Sequence, residues 1–214
     1  MFVTRYFNNS KRNWQLFWHN KNFRYKLLAG IFLIMCVIII APFFFQYIEK
    51  RNGTTVNDVI LNLIPPHDVS TMVFILIWSS FFLMFITVIK NPEILLTFLI
   101  SYIILCSFRY VSIFLFPLEA PPGIINLIDP ISNTFYGGTF ITKDLFFSGH
   151  TATLFVIYLC HRKKNIKYYS LIASILVGVL VLIQHIHYSF DVLFAFPFAF
   201  ISYRIAKYTA NTSF

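Results

Sequence analysis

The chain of 214 residues is 58% hydrophobic and 20% aromatic, with only 12% charged residues. This composition excludes an ordinary soluble domain and predicts an integral membrane protein. The net charge of +9 would suggest nucleic acid as the partner of a soluble protein, but here the basic residues flank apolar runs, as orientation signals do. We therefore expect membrane lipids as partners and no nucleic acid.

Basic and aromatic residues are mixed throughout residues 1–26. Such a segment suits a cytoplasmic surface beside anionic headgroups, and a solvated tail is the alternative. We expect the rest of the chain to form one membrane catalytic domain over residues 27–208, followed by a short tail, residues 209–214.

Apolar windows of about 18 or more residues are long enough to cross roughly 30 Å of hydrocarbon as helices. They predict an all-α, polytopic membrane protein with a bundle of six transmembrane helices. Pro65 and Pro66 end regular structure before the second helix, and a polar loop with APPG and YGG separates the third helix from the fourth. The predicted helices cover residues 27–47, 70–89, 93–116, about 148–160, 168–184 and 188–208.

Most of the 17 Lys and Arg residues precede the first helix, follow helices 2 and 4, or end helix 6. The acidic residues concentrate in the opposite loops. By the positive-inside rule both termini are cytoplasmic. Arg109, His150 and His187 are then expected at one level on the extracytoplasmic side, because each lies near the outer end of its helix.

The first chemical motif is DLFFSGHT, residues 144–151. Ser148 and Gly149 stand where the fourth helix begins, and the unpaired N–H groups and dipole of a helix start favour an anion, here a substrate phosphate. A phosphate bound there has His150 as its neighbour. The alternative is that Ser148 only caps the helix, which is a common role for serine.

The second chemical motif is HYSFDV, residues 187–192. His187 and Asp191 are four residues apart, so on a helix they would share a face and could form a hydrogen bond. Asp191 would then fix the tautomer of His187 and leave the opposite nitrogen free to attack phosphorus. A buried pair that only holds helices together is the alternative. His185, which has no acid at helical spacing, is a minor candidate.

Arg109 lies within a predicted span and needs an anionic partner. Either it pairs with Asp144 or Asp68, or it binds the substrate phosphate, and the two roles are compatible. Asp144 is expected in the loop over the site, where it could orient an acceptor hydroxyl, and an ordinary loop acid is the alternative. Asp144, Tyr188 and Asp68 are the candidate accessory residues.

Cys36, Cys106 and Cys160 each lie in an apolar segment, without CxxC spacing or a histidine at metal-ligand spacing. They are predicted to be buried thiols, and we expect no metal site.

Both motifs resemble signature motifs of the sphingomyelin synthase family, a branch of the type 2 phosphatidic acid phosphatase superfamily. DLFFSGHT and HYSFDV are similar to its third and fourth motifs, IPPHD at 64–68 to its first, and FRYVSIFLFPLEAPPG at 108–123 to its second. There are two departures. The pair Thr142-Lys143 replaces the usual Cys-Gly, and Glu119 replaces a proline.

The resemblance implies a six-helix bundle with an extracytoplasmic site, either periplasmic or lumenal. In that site His187 is the nucleophile, Asp191 orients it, and His150 is the acid and base. The resemblance also implies a phospholipid donor, an acceptor similar to ceramide or diacylglycerol, and neither a metal nor another cofactor.

Three functions therefore compete. The leading one is a lipid phosphotransferase that moves a phospho-headgroup between two lipids through a phosphohistidine. The same residues, with water as the second acceptor, would make a lipid phosphatase or a phospholipase C-like hydrolase. A transporter predicts charges through the depth of several helices, yet helices 1, 2 and 5 have none in their middle. A homo-oligomer is compatible with each function.

Overall fold

A computed structural model describes residues 13–127 and 141–211. Within these ranges the chain is all-helical, as predicted, and the nearest approach to a strand is an isolated bridge between Thr54 and Leu118. A short helix over residues 13–19 comes first. The helices that follow are α1 (Lys21–Glu49), α2 (Ser70–Lys90), α3 (Pro92–Leu115), α4 (Gly149–Cys160), α5 (Lys164–Ile183) and α6 (Ser189–Ala210), with a 3₁₀ turn at Leu61–Leu63.

Five of these helices, α1, α2, α3, α5 and α6, are long and apolar enough to cross a membrane. Their outer faces expose large apolar side chains such as Phe32, Phe82 and Ile172. A surface of this kind is stable against lipid rather than against water. The structure therefore fits a multi-pass membrane protein.

The helix α4 is shorter than the other predicted spans. Its 12 residues extend about 18 Å at 1.5 Å per residue, less than the roughly 30 Å of a bilayer core. Its bounds agree with the prediction, but it does not cross a bilayer by its own length. The number of six spans and the orientation of the termini therefore stay predictions.

The centre of the bundle is occupied by α4, which contacts α3, α5 and α6, while α3 also packs along α6. Small and branched side chains such as Ala152, Val177 and Ala199 are fully buried there and allow close helix packing. By contrast, α1 packs extensively only on α3 among the described helices. A gap therefore separates α1 from α2, and a cavity lies in it.

The helix α1 begins six residues earlier than predicted. Asn20 caps it, because its Oδ1 accepts a hydrogen bond from the N–H of Phe23 at 3.2 Å. Phe23 is fully buried. In the short helix that precedes α1, the Nε1 of Trp14 donates to the carbonyl oxygen of Ile89 at 2.6 Å. This part of the predicted surface segment thus packs on the bundle, and residues 1–12 lie outside the described ranges.

Candidate active site

Arg109 anchors the DLFFSGHT segment to α3. Its guanidinium pairs with the Oδ1 of Asp144 and donates a hydrogen bond to the carbonyl oxygen of Phe147. Of the two acids considered as its partner, the structure therefore selects Asp144. Asp68 lies before α2, where its Oδ1 accepts hydrogen bonds from the hydroxyl and the N–H of Ser70, and these lower the pKa of Asp68.

Gly149 allows the guanidinium of Arg109 to lie against the first turn of α4. A Cβ atom at position 149 would stand 2.8 Å from the Cζ of Arg109, closer than real side-chain carbons come. The first turn of a helix already favours an anion through its N–H groups and dipole. A cation and a helix N-terminus therefore meet at one point, which is an arrangement suited to a phosphate group.

Ser112 also holds this segment, and the sequence analysis did not select it. Its hydroxyl lies 2.7 Å from the carbonyl oxygen of Phe146 and 3.0 Å from that of Arg109. Ser112 follows Arg109 by three residues, so the two side chains share a face of α3. The signal available in the sequence was this spacing from a candidate site residue.

Ser148 joins the start of α4 to the start of α6. Its N–H donates to the carbonyl oxygen of Asp191 at 3.0 Å, and its hydroxyl pairs with that of Thr151 at 3.1 Å. Ser148 is fully buried, and its side chain makes no capping hydrogen bond. Ser148 therefore does not cap α4 through its side chain. Its N–H is engaged by Asp191 and is not directed at a ligand.

His187 and Asp191 are in contact, but not through a shared helix face. His187 lies in the turn before α6 and Asp191 in the first turn of α6, where the Asp191 Oδ2 accepts the N–H of Tyr188 at 3.0 Å. The Nδ1 of His187 is 3.4 Å from the same Oδ2. The predicted pairing is therefore present, and a helix cap produces it.

The contact between His187 and Asp191 has the distance of an ion pair without the geometry of a hydrogen bond. Both side chains are nearly fully buried. Among the described residues, the Nδ1 of His187 and the Oδ1 of Asp191 have no hydrogen-bond partner. The two atoms thus keep hydrogen-bonding capacity that the described residues do not use.

His185 has both ring nitrogens occupied. The Nδ1 lies 2.7 Å from the carbonyl oxygen of Pro122, and the Nε2 lies 2.7 Å from that of Ile64. These contacts tie the APPG and IPPHD loops to the turn before α6. A ring nitrogen held by a carbonyl group is not available to attack phosphorus, so His185 does not compete with His187 as the nucleophile.

Asp58 is a second residue that the sequence analysis missed. Its carboxylate accepts hydrogen bonds from the N–H of Ser189 at 2.5 Å and from its hydroxyl at 3.1 Å, and also from the N–H groups of Ile60 and Leu61. Burial raises the pKa of Asp58, but these hydrogen bonds outweigh burial and lower the pKa below its ordinary value. Asp58 thus fastens the loop after α1 to the first residue of α6, close to His187.

The two departures from the family pattern contact each other. The Nζ of Lys143 is 2.9 Å from the Oε1 of Glu119 and also donates to the carbonyl oxygen of Arg51. The same Oε1 accepts the N–H of Gly53. The hydrogen bond from Lys143, and after it the one from Gly53, lowers the pKa of Glu119. The two charges therefore neutralise each other in a connection between loops.

Tyr188 positions the turn that carries His187. It is fully buried, and its hydroxyl donates to the carbonyl oxygen of Glu119 at 3.1 Å and accepts the N–H of Val56 at 3.3 Å. Its ring stacks on that of Phe190, with the ring centres 5.6 Å apart. These contacts hold the turn that joins α5 to α6 against the loops that carry Val56 and Glu119.

A cavity of about 410 Å³ lies between α1, α2, α3 and α4. Its volume is in the range of ligand pockets. Four of the candidate residues line its polar end: Arg109, Asp144, Gly149 and His150. His187 does not line the cavity, and its side chain is 3% exposed. The structure therefore brings one histidine to the cavity and connects the other to it through the hydrogen bond between Ser148 and Asp191.

The structure gives the burial of the three cysteines and the arrangement of possible metal ligands among the described residues. Cys160 is buried, whereas Cys36 and Cys106 are half-buried. Within residues 13–127 and 141–211, no group of three or more His, Cys, Asp or Glu side chains is placed to hold a metal ion.

Comparison with protein families finds a match in the C-terminal part of the chain. Residues 143–209 match the family model described as PAP2 superfamily C-terminal. The matched segment contains His150, His187 and Asp191. No curated protein matches the chain. The family match supports the type 2 phosphatidic acid phosphatase superfamily and an enzyme that acts on phosphoesters, without separating the sphingomyelin synthase branch from the others.

Proposed function

We propose that the protein is a membrane-embedded lipid phosphotransferase. It moves a phospho-headgroup from a glycerophospholipid to ceramide or a similar lipid alcohol, through a phosphohistidine on His187. The observation that carries the proposal is the series of contacts from Arg109 through Gly149 and Ser148 to Asp191. This series connects a position suited to phosphate with a buried pair of histidine and acid.

In the first half-reaction the donor phosphate lies at Arg109 and the first turn of α4. The Nδ1 of His187 faces Asp191, so the Nε2 is the nitrogen that attacks phosphorus. A P–N bond forms, the P–O bond to diacylglycerol breaks, and His150 gives a proton to the departing oxygen. The carboxylate of Asp191 stabilises the positive charge that develops on His187.

In the second half-reaction His150 takes the proton of the acceptor hydroxyl. The acceptor oxygen forms a bond to phosphorus, the P–N bond breaks, and His187 is restored. Because His187 is nearly buried, both steps require the turn between α5 and α6 to expose its ring toward Gly149 when lipid binds.

Hydrolysis is the second candidate, since water in place of the lipid alcohol uses the same residues. The match to the PAP2 superfamily fits either reaction. The apolar walls of the cavity favour transfer, because a lipid alcohol reaches such a site more readily than water does.

Purified protein in vesicles that contain a headgroup-labelled phospholipid and ceramide or diacylglycerol tests the proposal. We expect a new lipid that carries the labelled headgroup, and we expect His187→Ala to abolish its formation. Asp191→Asn is expected to lower turnover strongly while the protein stays folded. His19→Ala is the matched control, because His19 is exposed and precedes α1, at the other end of the bundle.

The label identifies the reaction. Release of labelled phosphate or phosphoalcohol into water, independent of the acceptor, would replace the transferase by the hydrolase. Full activity of folded His187→Ala would rule out the phosphohistidine for both reactions.

A further inference from the structure

The apolar part of the cavity is a groove between two helices, which we name the α1–α2 groove. One wall is formed by α1 through Ile34, Ile38 and Ala41, and the other by α2 through Trp78 and Phe81. The floor belongs to α3. None of these five wall side chains carries a charge, so the groove favours hydrocarbon over a polar ligand.

The α1–α2 groove reaches the outer surface of the bundle. Ile38 and Trp78 line the cavity, yet they are 38% and 46% exposed. Side chains that faced only an enclosed cavity would be buried. Because α1 packs extensively only on α3 among the described helices, the exposed side of the groove lies between α1 and α2, where both helices face lipid.

The length of the groove and the polar residues at one end of it match the shape of an amphiphilic ligand. Its lining on α1 runs from Ile34 to Phe45, a rise of about 16 Å, or roughly half of a bilayer core. The polar end holds Arg109, which pairs with Asp144, together with the N-terminus of α4, where the N–H groups and the helix dipole favour a phosphate. A ligand that complements both the polar end and the apolar walls has an anionic headgroup and a long apolar chain.

We infer that the α1–α2 groove binds one acyl chain of the phospholipid donor. This chain enters laterally from the bilayer, between α1 and α2. The phosphate then lies at Arg109, and the second acyl chain stays among the bilayer lipids. The chemistry at the polar end rests on the proposed function, whereas occupancy of the groove is a separate property of the structure. The groove therefore selects donors by the length and bulk of one chain.

Photolabelling tests occupancy without turnover. The full chain, carrying His187→Ala to prevent reaction, is placed in phosphatidylcholine vesicles with a phospholipid that bears a diazirine near the end of one acyl chain. After irradiation, mass spectrometry of peptides is expected to show more label on the groove side of residues 34–45 than on the opposite side of α1. Ile38→Trp is expected to reduce the groove label by about tenfold.

Ile39→Trp is the matched control. Ile39 adjoins Ile38, is 60% exposed and does not line the cavity, so the same new side chain faces surrounding lipid and leaves the groove label unchanged. Equal label on both sides of α1, unaffected by Ile38→Trp, would mean ordinary contact with surrounding lipid and would overturn the inference. Should Ile38→Trp not fold, Ile38→Ala widens the same wall and is expected to increase labelling by a chain with a bulky end.

Activity separates this inference from the proposed function. With His187 intact, Ile38→Trp is expected to raise KM for a long-chain donor by about tenfold and to leave kcat for a short-chain, water-soluble donor unchanged. Groove-specific label with no turnover of any phospholipid would contradict the proposed function alone. Headgroup transfer with no preference of the label for the groove would contradict the acyl-chain site alone.

Discussion

At the level of single residues, the position of Arg109 depends on the absence of a side chain at Gly149. The guanidinium is held by Asp144 and by the carbonyl oxygen of Phe147. Arg109 as a whole is only 8% exposed. To move away from a new methyl group, the guanidinium would have to give up one of these two contacts. Alanine is a better helix former than glycine, so the cost of the methyl group falls on the guanidinium rather than on the helix.

Gly149→Ala is expected to lower kcat/KM by about 10- to 100-fold, because displacement of a positioning group by about 1 Å has effects of this size. The measurement is headgroup transfer in vesicles. Gly30→Ala is the control, since its new Cβ would also stand 2.8 Å from a neighbouring atom, the Cδ2 of the flexible Leu99. Wild-type turnover in Gly149→Ala would show that the position of Arg109 is not needed.

At the level of elements, the start of α6 depends on a carboxylate from a distant loop. Asp58 receives hydrogen bonds from Ser189 and from the 3₁₀ turn at Leu61–Leu63. The folded protein therefore favours the ionised form of Asp58 and lowers its pKa from 3.8. Stabilisation by this carboxylate is complete above the ordinary pKa and is lost as the pH falls through the lower value of the folded protein.

Asp58→Asn is expected to lower the Tm in detergent at neutral pH, because an amide does not replace a carboxylate that accepts several N–H groups. The difference from the wild-type Tm is expected to narrow as the pH falls below about 4. Asp68→Asn is the comparison, since Asp68 is exposed and bonds only within its own turn. A Tm difference that stayed constant down to the acid range would contradict the role assigned to the Asp58 charge.

At the level of the whole molecule, the distribution of basic residues predicts which side of the membrane each loop occupies. The turn between α4 and α5 contains Arg162 and Lys163, both exposed, while His67 is exposed in the loop before α2. In a chain without its native cysteines, His67→Cys is expected to react with a membrane-impermeant maleimide added outside intact cells, and Lys163→Cys is expected to react only after lysis. The opposite result would invert the proposed orientation.

The sequence predicted the bounds of a helix well where a proline or a polar motif interrupts a run of apolar residues. Pro92 opens α3, and the SGH run opens α4. The contact between His187 and Asp191 was predicted from a shared helix face, whereas the cap at the start of α6 produces it. The early start of α1 was missed, since Asn20 caps a helix whose first turns contain Arg24 and Lys26, which read as a flank.

Contacts between distant loops were beyond a single sequence. Asp58 and Ser189 are 131 positions apart, and nothing local distinguishes Asp58 from an ordinary loop acid. The pairing of Lys143 with Glu119 likewise depends on how two loops meet. The sequence shows each of these charges, but only the fold shows that Asp58 holds a helix start and that the other two neutralise each other.

The position of Arg109 along α3 has a further consequence for solvation. Arg109 lies six residues before the end of α3, which corresponds to about 9 Å along the helix axis. Arg109 and the first turn of α4 thus lie more than one helical turn inside the end of α3, beside the cavity. In the proposed reaction, exclusion of bulk water at that position would let the hydroxyl of a neighbouring amphiphile outcompete solvent for the phosphorylated ring.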